Sequence, residues 1–268
     1  MRDSLDKEDN LLSAGTENTQ ITWMDVKIDN HAITPRNGKT VELNALWYNA
    51  LKIMARLAEK YENKQLCRKY LEMAEKTKKS FDEKFYNEEK HCLYDVLGDS
   101  KVRPNQLFAL SLSHPIVDNA EIAEQVLNTV ENKLLNRYGL QTLSSDEEGY
   151  VDVYEGSAYN RDSSYHQGIT WPWLLGLYYD ALKNTMIIEK NRTKRQELEE
   201  KITKLVYTTK ETFKSEMFER SSIGTISEIY DSTEPYEERG AFAQAWSVAE
   251  IFRIVLNKIG RASCRERV

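Results

Sequence analysis

Apolar positions recur at helical spacing along most of the chain, in two styles. Three segments carry one apolar stripe opposite a charged face: Leu66, Tyr70, Ala74, Thr77 and Phe81; Ile122, Val126, Val130 and Leu134; and Leu198, Ile202, Leu205, Thr209 and Phe213. One-sided helices of this kind lie on the outside of a core. Four other segments, LNALWYNALKIMA, QLFALSL, TWPWLLGLYYDAL and AFAQAWSVAEIFRIV, are apolar on nearly every face, which predicts burial. They begin near Val41, Arg103, Gly168 and Gly240, roughly 65 residues apart, with a one-sided helix in each gap.

This alternation predicts an all-α fold, an α/α toroid in which an inner ring of helices is wrapped by an outer one. Such a barrel normally closes with about six helical hairpins, and about three and a half are present here. The expectation is therefore that residues 1–258 are the C-terminal part of a toroid domain. Its N-terminal hairpins and any N-terminal domain would lie outside this chain, which would expose apolar surface and be inactive alone. The last ten residues, IGRASCRERV (259–268), do not continue the apolar pattern and read as a non-native, adapter-derived tail. The polar connections 21–40, 98–105, 136–169 and 223–240 all precede inner-type helices, which places them on one rim. FYNEEKHCLYDVL reads as a small β-hairpin.

Composition narrows the function. A net charge of -6 argues against a nucleic-acid surface, which needs clustered Lys and Arg. No run approaches the ~18 apolar residues of a membrane span. The three cysteines, Cys67, Cys92 and Cys264, have neither disulfide-framework nor zinc spacing, so a reduced, cytoplasmic setting is expected. No H-E-x-x-H, Ser-His-Asp order or Gly-rich phosphate loop is present, and no metal or cofactor is expected.

The rim is where chemistry can sit. All five tryptophans, Trp23, Trp47, Trp171, Trp173 and Trp246, fall in rim loops or inner-type helices. Core packing explains most of them, but Trp23 stands in a polar loop two residues before Asp25. A sugar ring has apolar faces and a fringe of hydroxyls, so its pocket needs aromatic platforms beside fixed carboxylates and amides. Glycosidic cleavage needs one carboxylic acid to protonate the leaving oxygen and a second carboxyl group for the water or the anomeric carbon. Rim acids are plentiful, Asp25, Asp152, Glu155, Asp162, Glu228 and Asp231 among them, and composition does not choose between them. His31 and His91 lie in charged stretches and His114 precedes Pro115 at a helix end; His166 in YHQGITWPW is open to a substrate or a structural role.

Six blocks, TWMD, TPRNGKTVELNALWYNAL, RPNQLFALSL, YHQGITWPWLLGL, GTISEIYD and AQAWSVAE, follow one another across residues 20–255. Together they closely resemble the amylo-α-1,6-glucosidase domain of glycogen debranching enzymes. The resemblance implies an inverting hydrolase that removes α-1,6-linked glucose from a branched α-glucan or limit dextrin. It implies Asp25 as general acid and Glu228 as general base, with Trp23 walling the pocket and keeping Asp25 protonated. Arg36, Asn105, Tyr165, His166 and Gln167 are implied as sugar-binding neighbours. One departure is Gln141 in YGLQTLS, where many relatives carry an arginine. The alternatives are another toroid glycosidase, of glucoamylase, trehalase or processing-glucosidase type, and a non-catalytic carbohydrate-binding toroid.

Overall fold

A computed structural model describes residues 4–220 and 224–265, with side chains to residue 256. The first rim loop holds a hairpin, β1 (Lys27–Ile28) and β2 (His31–Ala32), turned by Asp29 and Asn30 at positive φ. This is the two-residue turn in which Asp and Asn are best tolerated. Helix α1 (Val41–Lys60) follows, and a short bend leads to α2 (Lys64–Lys84), whose first turn is capped by the Asn63 side chain accepting the Leu66 N–H at 3.0 Å. The expected small hairpin is present as β3 (Tyr86–Asn87) and β4 (Cys92–Leu93). A 3-10 turn, Pro104–Leu107, runs into α3 (Phe108–Ser111), and then come α4 (Ala120–Lys133), β5 (Leu140–Gln141) and α5 (Ala158–Ser164). The chain continues through β6 (Thr170–Trp171), α6 (Leu174–Ile188), α7 (Arg192–Glu219), β7 (Ile229–Tyr230), β8 (Glu238–Arg239) and α8 (Ala245–Arg265).

The helices form an all-α toroid arrangement. Inner α1 packs on α3, α3 on α6 and α6 on α8, while outer α2 covers α1, α4 reaches α6, and α7 covers α6 and α8. Central α6 matches its sequence pattern: Leu174, Leu175, Tyr178, Tyr179, Ala181 and Leu182 are all buried. At the ends of the row the pattern is only half satisfied. On α1, Leu46, Ile53, Met54 and Leu57 are each about two-fifths exposed, and on α8 Phe252 and Leu256 are exposed.

Two elements differ from expectation. The QLFALSL segment is only the end of the 3-10 turn and one α-helical turn, stopping at Ser111 with Leu112 extended, four residues short of Pro115, whose ring cannot follow the carbonyl of Ser111 in a helix. Its free carbonyls are met from α6, where the Asn184 amide donates to Leu110 O (2.8 Å) and Leu112 O (3.1 Å). At the other end, α8 runs on to Arg265 rather than stopping near Lys258. The side chains of the expected tail, 259–268, and residues 266–268 altogether, lie outside those described.

The rim loops are not structureless. An antiparallel sheet in the order β5-β6-β7-β8 pairs Leu140 with Trp171, Thr170 with Tyr230 and Tyr230 with Glu238. Period-2 signals do not reveal strands of two residues, which exist only through their partners. Gly168, two residues after His166, has φ +138, and a Cβ there would meet Val151 O at 2.2 Å.

Outer helix α7 is pinned to this sheet by buried Glu216, which accepts the Tyr230 hydroxyl at 3.0 Å. Arg220 lies 3.6 Å from Glu216 and 3.0 Å from Glu238, and donates to the Tyr138 hydroxyl at 2.7 Å. Burial, reinforced by the hydrogen bond with Glu238, pushes the Glu216 carboxyl up from 4.5 to about 7. A raised acid favours folding while it stays protonated, so this stabilisation is complete below about pH 4.5 and is lost as pH rises through about 7. Glu216→Gln, which keeps the shape and cannot ionise, should leave stability at pH 4.5 unchanged. At pH 8 it should raise stability by on the order of 1 kcal/mol, about 2–4 °C in Tm by calorimetry.

Candidate active site

The rim loops converge on one buried carboxylate. Asp95, just past β4, accepts Arg36 Nε at 2.7 Å, Arg36 Nη2 at 2.9 Å and Asn105 Nδ2 at 2.8 Å. Arg36 also forks onto Glu42 in the first turn of α1, with Nη2 to Oε2 at 2.7 Å and Nη1 to Oε1. Burial opposes the charge on Arg36, but Asp95 and Glu42 outweigh it and hold the guanidinium above its ordinary pKa. Arg103 lies 3.8 Å from Asp95 and donates to Thr142 O (2.9 Å), His166 O (2.7 Å) and the Gln167 amide oxygen (3.0 Å). Gln167 in turn donates to Thr34 Oγ1 at 3.0 Å and Ile33 O at 3.2 Å. The network thus ties the loop of Asp25 to the segment of Tyr165 and His166.

Above it lies an aromatic floor. Trp23 gives its indole N–H to Asn105 Oδ1 at 2.7 Å and meets His166, Trp171 and Trp173 edge-on, with ring centroids 5.0–5.3 Å apart. His166 stacks on Trp171 at 5.2 Å, and Trp173 on Trp246 at 5.1 Å. Although His166 is 1% exposed, neither ring nitrogen has a hydrogen-bond partner. Burial holds its pKa below the ordinary histidine value, against the pull of Asp25. It is a neutral imidazole near pH 7, able to donate from one nitrogen and accept at the other.

Two carboxylates flank the adjacent residues Tyr165 and His166. His166 Nε2 is 3.9 Å from Asp25 Oδ1, and Asp25 itself is exposed. The interaction with His166 holds the Asp25 carboxyl below its ordinary value, against partial burial. This differs from the expectation that an apolar wall at Trp23 would keep Asp25 protonated, because Asp25 is exposed to water and the interaction with His166 outweighs its partial burial. On the other side, burial and a hydrogen bond with Glu228 both push the Tyr165 phenol up. Half-buried Glu228, immediately before β7, accepts the Ala241 N–H at 2.9 Å and the Gln244 amide at 3.1 Å.

Asp25, Glu228, Trp23, Tyr165 and His166 are therefore brought together. Arg36, Asn105 and Gln167 are close, but their polar atoms are occupied by protein partners, Arg36 at 3% and Asn105 at 0% exposure. Asp95, Glu42, Arg103 and Gln244 went unnoticed in the sequence. Asp95 had a signal, an acid inside the apolar run CLYDVL; Glu42 looked like an ordinary first-turn acid. Among the described residues, no group of His, Cys, Asp and Glu is arranged to hold a metal, and no helix is long and apolar enough to cross a membrane.

Comparison with known proteins fits this geometry. Residues 2–253 match the family model described as amylo-alpha-1,6-glucosidase. Among solved structures, a sialidase superposes with TM-score 0.65 at 14% identity over 94% of this chain. A GH63 mannosylglycerate hydrolase from Thermus thermophilus superposes with TM-score 0.53 at 13% identity over 82%. These two share the fold. The chain spans 22% of the first and 45% of the second.

The network assigns Arg36 to holding the rim. Arg36→Met would leave Glu42 buried without its cation and Asp95 with only Arg103, 3.8 Å away, a loss of about 3–5 kcal/mol in denaturant unfolding. Arg36→Lys should recover only part of it, since a point charge cannot fork onto two carboxylates. Full stability with only a raised KM would instead show a direct sugar contact.

Proposed function

We propose that this chain, which belongs to the amylo-alpha-1,6-glucosidase family, a family of toroid glycoside hydrolases, removes α-1,6-linked glucose from branched glucan or limit dextrin with inversion. Beyond family membership, the observation that carries the reading is the adjacent pair Tyr165 and His166. One stands beside Glu228 and the other beside Asp25, so two carboxylates distant in sequence share one aromatic floor.

In this reading Asp25 gives its proton to the glycosidic oxygen as the bond from that oxygen to C1 breaks. The glucan leaves with a neutral hydroxyl. Glu228 takes a proton from water as the water oxygen bonds to C1 on the opposite face, releasing β-glucose. One proton returned by solvent to Asp25, and one lost from Glu228, reset the site. Asp25 is ionised in the free protein; a sugar seated against Trp23 and His166 displaces its water, and burial favours the neutral acid. His166, buried beneath the floor with Nε2 3.9 Å from Asp25 Oδ1, would act on the acid rather than on the sugar.

The intact protein should release glucose from branched limit dextrin and not from trehalose, with the β-anomer first by proton NMR. Glu228→Gln should lower kcat by about two to four powers of ten with binding retained. Asp25→Asn should recover much of its rate on α-glucosyl fluoride, whose leaving group needs no proton, whereas Glu228→Gln should not. Release of α-glucose first, turnover of trehalose alone, or a Glu228→Gln protein of normal rate would each refute the assignment.

A further inference from the structure

Both oxygens of the Glu228 carboxylate are held by one short segment, residues 240–244. Oε2 accepts the Ala241 backbone N–H at 2.9 Å, and Oε1 accepts the Gln244 side-chain amide at 3.1 Å. The Glu228 N–H donates back to Ala241 O at 2.9 Å, so the two strands close on each other around this side chain. Gln244 is itself fixed at both ends. Its backbone N–H donates to Ile226 O at 3.1 Å, and its side-chain oxygen accepts the Ala245 N–H at 2.9 Å at the start of α8. Gly240 makes the approach feasible: it has φ +69, and a Cβ there would fall 2.4 Å from Glu228 Oε2.

We propose that Gln244 is a positioning residue for the hydrolytic step, orienting Glu228 toward the attacking water together with the Ala241 N–H and the open space at Gly240. The inference rests on Glu228 being the base. With the Tyr165 hydroxyl, these two donors fix the carboxylate plane and leave one lone-pair site for the proton of water. The helix that stacks Trp246 on Trp173 thereby also sets the base, coupling the aromatic floor to the reacting group. Positioning to within about half an ångström is what such a supporting contact supplies.

The test uses Gln244→Glu and Gln244→Met in the intact protein, with Glu228→Gln as reference. Gln244→Glu keeps the acceptor for the Ala245 N–H and changes only the group facing Glu228. At neutral pH its kcat should fall about 10- to 100-fold with KM within about twofold, and should recover as acid protonates the introduced carboxyl and restores a donor. Gln244→Met should lose kcat at every pH. Crystal structures should show the Glu228 carboxylate rotated from its wild-type position in Gln244→Met. Normal kcat in both variants, parallel loss of kcat and KM without pH recovery, or an unmoved Glu228 would overturn the proposal. A Glu228→Gln protein of normal rate would remove the base assignment itself; a dead Glu228→Gln beside normal Gln244 variants would remove only the role of Gln244. The crystallographic comparison decides the positioning claim even where no turnover is found.

Discussion

The arrangement of the rim depends on where the charge of Asp95 is neutralised. This carboxylate is 2% exposed and lies beside two guanidinium groups, one of which also pairs with buried Glu42. Dehydrating four ionisable groups costs several kcal/mol per ion, and only close, forked geometry offsets it. The offset exists only when the first rim loop, the start of α1, the segment after β4 and the 3-10 turn are assembled together. An aqueous loop becomes a rigid mount for Asp25 because its neighbour Trp23 bonds the same Asn105 that bonds Asp95.

The opposite side of the site is built differently. Glu228 stands immediately before β7, an inner strand of the four-stranded sheet, and is held by neutral donors, with Glu216 and Arg220 anchoring that sheet to α7. Between the ionic mount and the sheet lie Tyr165, His166 and the tryptophan cluster, a low-dielectric floor on which differences in protonation count for more than in water. Asp25 sits exposed and ionised until something covers it, while its neighbour His166 is buried, with Nε2 3.9 Å from the Asp25 carboxylate. That asymmetry suits a ligand that brings its own hydroxyls and displaces water.

Much of this was legible in the sequence because it follows from helical periodicity. The stripes that define α4 and α7 and the C-terminal half of α2 survive in the structure, although Leu66 at the start of α2 is exposed, and the burial of α6 follows from its uniformly apolar faces. Asp25 and Glu228 are singled out by motif resemblance alone, since a dozen rim acids have the same chemistry and nothing in spacing separates them. The roles of Arg36, Asn105 and Gln167 were less so: proximity to a sugar site and support of that site leave the same residue types in the same motif. What separates them is whether their donors are already occupied. The strands of the rim sheet, two residues each, carry no period of their own, and Gln244 lies in a run that reads as helix start. Its second contact is visible only once β8 folds back beside β7.

In the proposed function, Asp25 and Glu228 face one another across a single glucosyl site. This arrangement is tested most directly by a crystal structure of the intact protein with an uncleaved α-1,6-linked glucose oligosaccharide bound to the Glu228→Gln variant. The terminal glucose should lie on the floor formed by Trp23, Tyr165 and His166. Asp25 should lie within hydrogen-bond reach of the glycosidic oxygen, and the carboxyl of Asp25 about 6.5 to 9.5 Å from residue 228, with one water between that residue and C1. A separation near 5 Å without such a water, or a sugar seated away from both residues, would contradict it.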